Sequence, residues 1–265
     1  MPYFIAIANQ KGGVAKTTTT VSLGGALAQS GKEVLLIDLD PQSDLTLSLG
    51  VSPGKARHAI TDVLFNWATP ASVSRETKVS GLDLIPSNPE MELAERFLPI
   101  RKNFEHILRN ALDNAPLNYD FVIFDCPPAL GAITTNALNA AQMLIIPTLP
   151  EFFSVHALRN VLGAYRRVRN KSNQNLVYRV LITMQDIRNR IHRDLSVQLK
   201  DNFSTSIFNT VIQIDTKLRE SSVAGLPITH YNPQSRSADQ YMALAAELIQ
   251  NVQETIQQPA RQSLL

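Results

Sequence analysis

Residues 3–20, YFIAIANQKGGVAKTTTT, decide the fold. A short β-branched and aromatic run (3–8) leads into paired glycines, Gly12 and Gly13. TTTTVSLGGALAQSG then continues with helical character and stops at Gly31, a residue suited to the left-handed cap conformation. A strand entering and a helix leaving a Gly/Lys-rich turn is the setting in which backbone N–H groups wrap phosphate oxygens, helped by the positive end of the helix dipole. In that reading Gly12, Gly13, Val14, Ala15, Lys16, Thr17 and Thr18 bind the nucleotide, with Lys16 reaching its β- and γ-phosphates and the Thr17 hydroxyl on Mg²⁺. Two features depart from G-x-x-x-x-G-K-[ST]. Ala15 stands where the second glycine belongs, and is expected to keep φ below zero with its methyl turned from the nucleotide. Lys11 adds a second lysine, five positions before the first.

Outward from this loop, further apolar runs follow at 33–39, 82–87, 120–125, 143–148, 177–184 and 207–212. Their apolar character is continuous, as in strands buried on both faces. Helical patterns at 17–30, 103–114, 134–141, 152–169, 191–202 and 236–256 lie between them. The expected fold is α/β: a mostly parallel twisted sheet with helices on both faces, a P-loop NTPase in a single domain over 1–256, followed by a C-terminal tail, 257–265. The least regular region, 50–80, reads as a surface excursion.

Two strand ends carry carboxylates. Asp125 closes YDFVIFD at the carboxyl edge of the sheet, where open α/β sheets bind ligands, and suits the outer shell of Mg²⁺. Asp38 and Asp40, in LLIDLDPQSD, share one face by the strand's period of two. In one division Asp38 stands in the Mg²⁺ outer shell and Asp40 orients the attacking water, though the residues alone do not say which is which; one could also simply cap the turn before Pro41.

Composition sets bounds. The chain has 265 residues, 44% of them hydrophobic, and a formal net charge of +2, which permits a nucleic-acid patch without demanding one. A single cysteine, Cys126, rules out a disulfide within the chain and fits a reducing compartment, and it reads as a buried small residue. No apolar run reaches the roughly 20 residues that span a bilayer, so a cytoplasmic protein is expected. His192 and His230 read as surface or loop residues.

KGGVAKTTT, DLDPQSD, FDCPP and the late GLPITHYNPQSRSADQY together resemble the ParA/MinD family of deviant Walker-box ATPases, and specifically its chromosomal and plasmid partition branch. The resemblance implies a slow ATPase using ATP and Mg²⁺ that closes as an ATP-dependent sandwich homodimer, with Lys11 crossing to the phosphates held by the partner. It implies that Glu151 reaches the ribose in that dimer, and that Met184 and Pro233 lie around the adenine. From the residues alone, Met184 is equally core packing at a strand end and Pro233 equally a turn former.

The same resemblance implies non-specific binding to nucleoid DNA, an adaptor protein that stimulates hydrolysis, and a cargo. The cargo would be a centromere complex or, in relatives using the same chemistry, a protein body such as a carboxysome. Lys217, Arg219 and Arg236 are the DNA candidates, with the cluster YRRVRNK (Arg166, Arg167, Arg169, Lys171) behind them. Relatives commonly carry a Pro-Arg pair where this chain has Gln213 and Ile214, which removes one expected phosphate contact. A MinD-like membrane helix is disfavoured, because the C-terminal segment is glutamine-rich and carries Pro259. One cysteine also excludes the cluster-bearing iron-protein relatives.

Overall fold

The computed structural model describes residues 1–55, 58–115 and 117–262. Eight strands form one sheet: β1 (Tyr3–Ile7), β2 (Val34–Asp38), β3 (Arg75–Glu76), β4 (Leu82–Ile85), β5 (Phe121–Asp125), β6 (Met143–Thr148), β7 (Val177–Gln185) and β8 (Ile207–Gln213). Their order is β3-β4-β2-β5-β1-β6-β7-β8, and every pair is parallel except β3 with β4. Parallel neighbours need long crossovers, and helices supply most of them. These are α1 (Lys16–Gln29), α2 (Asp44–Ser48), α3 (Ile60–Leu64), α4 (Pro70–Val73), α5 (Met91–Phe97) and α6 (Ile107–Asp113). After them come α7 (Ala132–Ala140), α8 (Phe152–Lys171), α9 (Arg190–Phe203), α10 (Lys217–Ala224), α11 (Ile228–Tyr231) and α12 (Arg236–Gln262).

Both faces of the sheet are covered, which is why the strands read as unbroken apolar runs. In β1, Ile5 and Ile7 face a core shared with α1 and α12, while Ala6 and the following Ala8 face a second core built on α3 and α5–α8. All seven expected strands are present. The eighth, β3, is two residues long and offers too little pattern to read.

Three expectations change. The 50–80 region is no surface excursion: Ile60, Val63, Leu64, Val73 and Val79 are buried, and α3 and α4 close one face of the sheet. Its helices of five and four residues are too short to show a helical period. The last helix runs to Gln262, past the boundary expected at 256; residues 263–265 of the expected tail lie outside the described residues. His192 lies within α9, partly buried, its ring accepting the Asp186 backbone N–H at 3.1 Å, whereas His230, in α11, is exposed as expected of a surface residue.

Helix α1 meets α11 closely at Gly25, where a Cβ would sit 2.3 Å from Cβ of Pro227. The glycine lets the two backbones approach, and this fixes the helix that carries the phosphate loop. The helix ends as expected, with Gly31 at φ 77°.

Candidate nucleotide site

The loop between β1 and α1 lies at the centre of the sheet's carboxyl edge, flanked by the ends of β5 and β6. Its path is fixed from outside by side chains. Asn9 is fully buried, donates from Nδ2 to the Pro147 carbonyl at 2.7 Å and accepts the Lys11 N–H at 3.0 Å. The Thr183 hydroxyl donates to the Val14 carbonyl at 3.0 Å. Gly13 has φ 71°, and a Cβ added at Gly12 or Gly13 would meet nothing within 4 Å, so the loop borders open space.

Ala15 overturns its expectation. It takes φ 65° and ψ 36°, the left-handed conformation, as the residue immediately before α1, and offers no side-chain cap. The loop needs that conformation to turn its amides outward, and alanine adopts it at a cost of about 1–2 kcal/mol. The leading N–H groups of α1 receive no capping side chain and are left for a ligand.

The floor of the site is charged and buried. Lys16 is 8% exposed, with its Nζ 3.5 Å from the Lys11 carbonyl. Asp125 is 1% exposed and accepts the hydroxyls of Thr17 at 2.7 Å and Thr20 at 3.2 Å. Asp38 is fully buried beside it, the two strand ends pairing in register. Burial, reinforced by the neighbouring Asp125, pushes the Asp38 carboxyl up to about 8. Burial likewise raises Asp125 to about 7, opposed by Thr17 and by the Lys16 charge. Two carboxyls held above their usual range beside a buried lysine describe a site short of positive charge.

Asp40 is half-buried. It accepts the Gln42 N–H at 2.9 Å, and its own N–H donates to Asp38 at 3.1 Å. It therefore does shape the turn at Pro41, while its field is felt at Asp44 and Asp125. Cys126 is buried, and burial pushes its thiol far above the usual range.

The rim is different. Lys11 extends to α8, with Nζ 3.0 Å from Glu151 Oε2 and 2.8 Å from the Ser154 hydroxyl. The pair is open to solvent, 31% and 44% exposed at the side chains, and beside it Phe152 and Phe153 are 71% and 75% exposed. On the other side of the loop lies a cavity of about 360 Å³, lined by Ala15, Thr18, Met184, Gln213, Ile214, Thr216 and Arg219 among others. Met184 thus borders the loop, with φ 52°. Pro233 is exposed and is not among the residues that line that cavity.

Arg219 shares the cavity wall, whereas Lys217 pairs with Glu220 at 2.8 Å and Arg236 donates to the Ile214 carbonyl at 2.6 Å. The YRRVRNK cluster lies at the far end of α8, about 20–30 Å along the helix from Glu151, with Lys171 paired to Glu105 at 2.8 Å.

Several positions at the site were invisible to motif reading. Thr20, Asn9, Ser154, Thr46 and Ser87 are common polar residues whose roles appear only when distant segments meet; the sole available signal was the run of four threonines after Lys16.

The donor set suits a magnesium nucleotide. Among the described residues no group of three or more His, Cys, Asp or Glu could cage a metal. A hard cation here would draw on the Thr17 hydroxyl, phosphate oxygens and water, the usual habit of Mg²⁺.

A twisted parallel sheet with a Gly/Lys loop between its central strand and a helix, and a buried strand-end aspartate behind it, defines the P-loop nucleotidase class. The chain belongs to the AAA_31 family, an AAA domain, whose model matches residues 3–178, and with the ParA and Soj partition ATPases. It is 38% identical over 252 residues to the sporulation initiation inhibitor protein Soj of Bacillus subtilis, covering 95% of this chain and 100% of that protein. It is 35% identical to the chromosome partitioning protein ParA of Caulobacter vibrioides, covering 92% and 93%. A solved structure titled cobyrinic acid a,c-diamide synthase from Mycobacterium smegmatis, with bound ATP analogue and magnesium, superposes with TM-score 0.84 at 33% identity, covering 94% of each chain.

Proposed function

We propose that this chain is a partition-type switch ATPase: it binds ATP and Mg²⁺, closes as a homodimer around two nucleotides, and binds DNA non-specifically in that state. Through this cycle, and with an adaptor protein that stimulates hydrolysis, it positions a cargo, by default a centromere complex. The observation that carries this reading is the division of labour between the two lysines. Lys16 is buried among its own chain's carboxylates, whereas Lys11 lies on an exposed rim.

A surface ion pair is worth at most about 1 kcal/mol, so the Lys11–Glu151 contact yields readily to a stronger anion. Two nucleotides facing each other across an interface repel, and a cation donated from each side lets the interface close. Release of Lys11 also frees Glu151 for the nucleotide's ribose, as the family resemblance implies. Bound Mg²⁺ would neutralise phosphate charge at Thr17 and Asp125. Asp38 and Asp40 then divide the tasks of holding the cation's water shell and orienting the attacking water. Loss of the γ-phosphate removes what Lys11 grips, and the dimer loosens.

The DNA arm rests on Lys217, Arg219 and Arg236, which occupy the β8–α10 edge and the start of α12 near the cavity, and dimerisation would double them. Counterion release makes such binding steeply salt-dependent. The test is retention on non-specific duplex DNA with ATP–Mg²⁺ or ADP across a salt series, alongside phosphate release. ATP-dependent retention that disappears as salt rises, with measurable hydrolysis, supports the reading; retention indifferent to nucleotide, or no hydrolysis, contradicts it.

A further inference from the structure

Asp38 has no exposed surface, and a carboxylate in such a place is costly unless its oxygens are bonded. Three donors meet it. Oδ1 accepts the Asp40 N–H at 3.1 Å, while Oδ2 accepts both the Thr46 N–H at 2.9 Å and the Thr46 hydroxyl at 2.6 Å. Thr46 is itself fully buried in α2. Its hydroxyl oxygen accepts the Ser87 N–H at 3.0 Å, and the Ser87 hydroxyl donates to the Asp40 carbonyl at 2.7 Å.

These contacts form a closed ring: Ser87 to Thr46, Thr46 to Asp38, Asp40 to Asp38, and Ser87 back to Asp40. It ties together the end of β2, helix α2 and the segment after β4. A hydroxyl that donates to a carboxylate and accepts an amide N–H at once has both directions fixed. The β-branch of threonine further restricts its rotamer. Thr46 is not among the residues that line the adjoining cavity; its N–H and hydroxyl both donate to Asp38, while its carbonyl accepts the Leu49 and Val51 N–H groups at the end of α2.

We propose that Thr46 is a positioning residue for hydrolysis, fixing the plane of the Asp38 carboxylate and, through Ser87, the backbone that carries Asp40. The inference rests on the reading of Asp38 and Asp40 as hydrolytic carboxylates. Valine at position 46 keeps the shape of threonine, but it removes the shortest of the three bonds to Asp38 and leaves the Ser87 N–H unpaired.

The experiment measures kcat and KM for ATP–Mg²⁺, and the affinity for a fluorescent ATP analogue, in the full chain and in Thr46→Val, Thr46→Ser, Ser87→Ala and Asp38→Ala. Loss of a short, buried hydrogen bond to the Asp38 carboxyl predicts that Thr46→Val lowers kcat about tenfold or more, with analogue affinity within about twofold. Thr46→Ser, which keeps the hydroxyl, restores kcat to within about threefold, and Ser87→Ala lowers it by about threefold.

Wild-type kcat in Thr46→Val overturns the proposal, as does a parallel loss of affinity and kcat, or a Thr46→Ser variant as impaired as Thr46→Val. Should Thr46→Val not fold, Ser87→Ala decides, and unchanged kcat there overturns it. An inactive Asp38→Ala beside a fully active Thr46→Val removes the Thr46 proposal alone. An Asp38→Ala variant that hydrolyses at the wild-type rate removes the carboxylate reading beneath it as well.

Discussion

The floor and the rim of the phosphate loop lie a few residues apart, yet they are built on opposite principles. On the floor, Lys16, Thr17, Asp125 and Asp38 are buried or nearly so, and the carboxylates are bonded within the chain. On the rim, Lys11 holds an exposed glutamate beside two exposed phenylalanines. The floor is bonded within one chain; the rim carries an ion pair open to solvent, where the proposed dimer would close. Burial separates them: a charge removed from water must be matched by its own chain, whereas an exposed pair contributes little and is free to exchange partners.

The largest effect is expected at the floor. Lys16→Ala should reduce affinity for a fluorescent ATP analogue by about a hundredfold or more, since a desolvated charge partner of the phosphates is lost. Retained affinity would mean that the buried lysine serves the fold and not the ligand.

A second difference is pH dependence. Asp38 and Asp125 hold their protons in the folded state to about 8 and about 7, well above the usual carboxylate range. Between about pH 4 and those values the folded protein binds more protons than the unfolded chain, so stability falls as pH rises through the window. The melting temperature of the nucleotide-free protein should therefore drop from about pH 5 to about pH 8, and Asp38→Asn should flatten part of that slope. A melting temperature that climbs across this range would show that the floor carboxylates are ionised and matched without a ligand.

The smallest expected effect is at Ala15. Relieving its left-handed strain with Ala15→Gly should raise stability by up to about 1 kcal/mol, read by denaturant midpoint. A loss of stability would show that the methyl packs usefully at the cavity edge.

The legible parts of the sequence were those in which one segment carries the whole signal. The loop, seven strands and the strand-end carboxylates each declare themselves by local pattern: paired glycines, apolar runs, an aspartate at a run's end. The illegible parts depend on distant segments meeting. Thr46 and Ser87 have no motif, because their role exists only where α2 and the segment after β4 close on Asp38. The short helices of the 50–80 region showed no period, so burial of Ile60 and Val63 was hidden. At Ala15 sterics gave the wrong sign of φ, because the demand of the loop outweighs the preference of the residue. Pro233 was placed by resemblance, and its exposure was beyond local pattern.

Lys11 is proposed to act outside its own chain, and the direct test is the light-scattering mass of the wild type and Lys11→Ala with ATP–Mg²⁺ and with ADP. A wild-type dimer formed only with ATP, beside a Lys11→Ala protein that still binds nucleotide but stays monomeric, is the predicted result. An ATP-dependent dimer of unchanged stability in Lys11→Ala would contradict it.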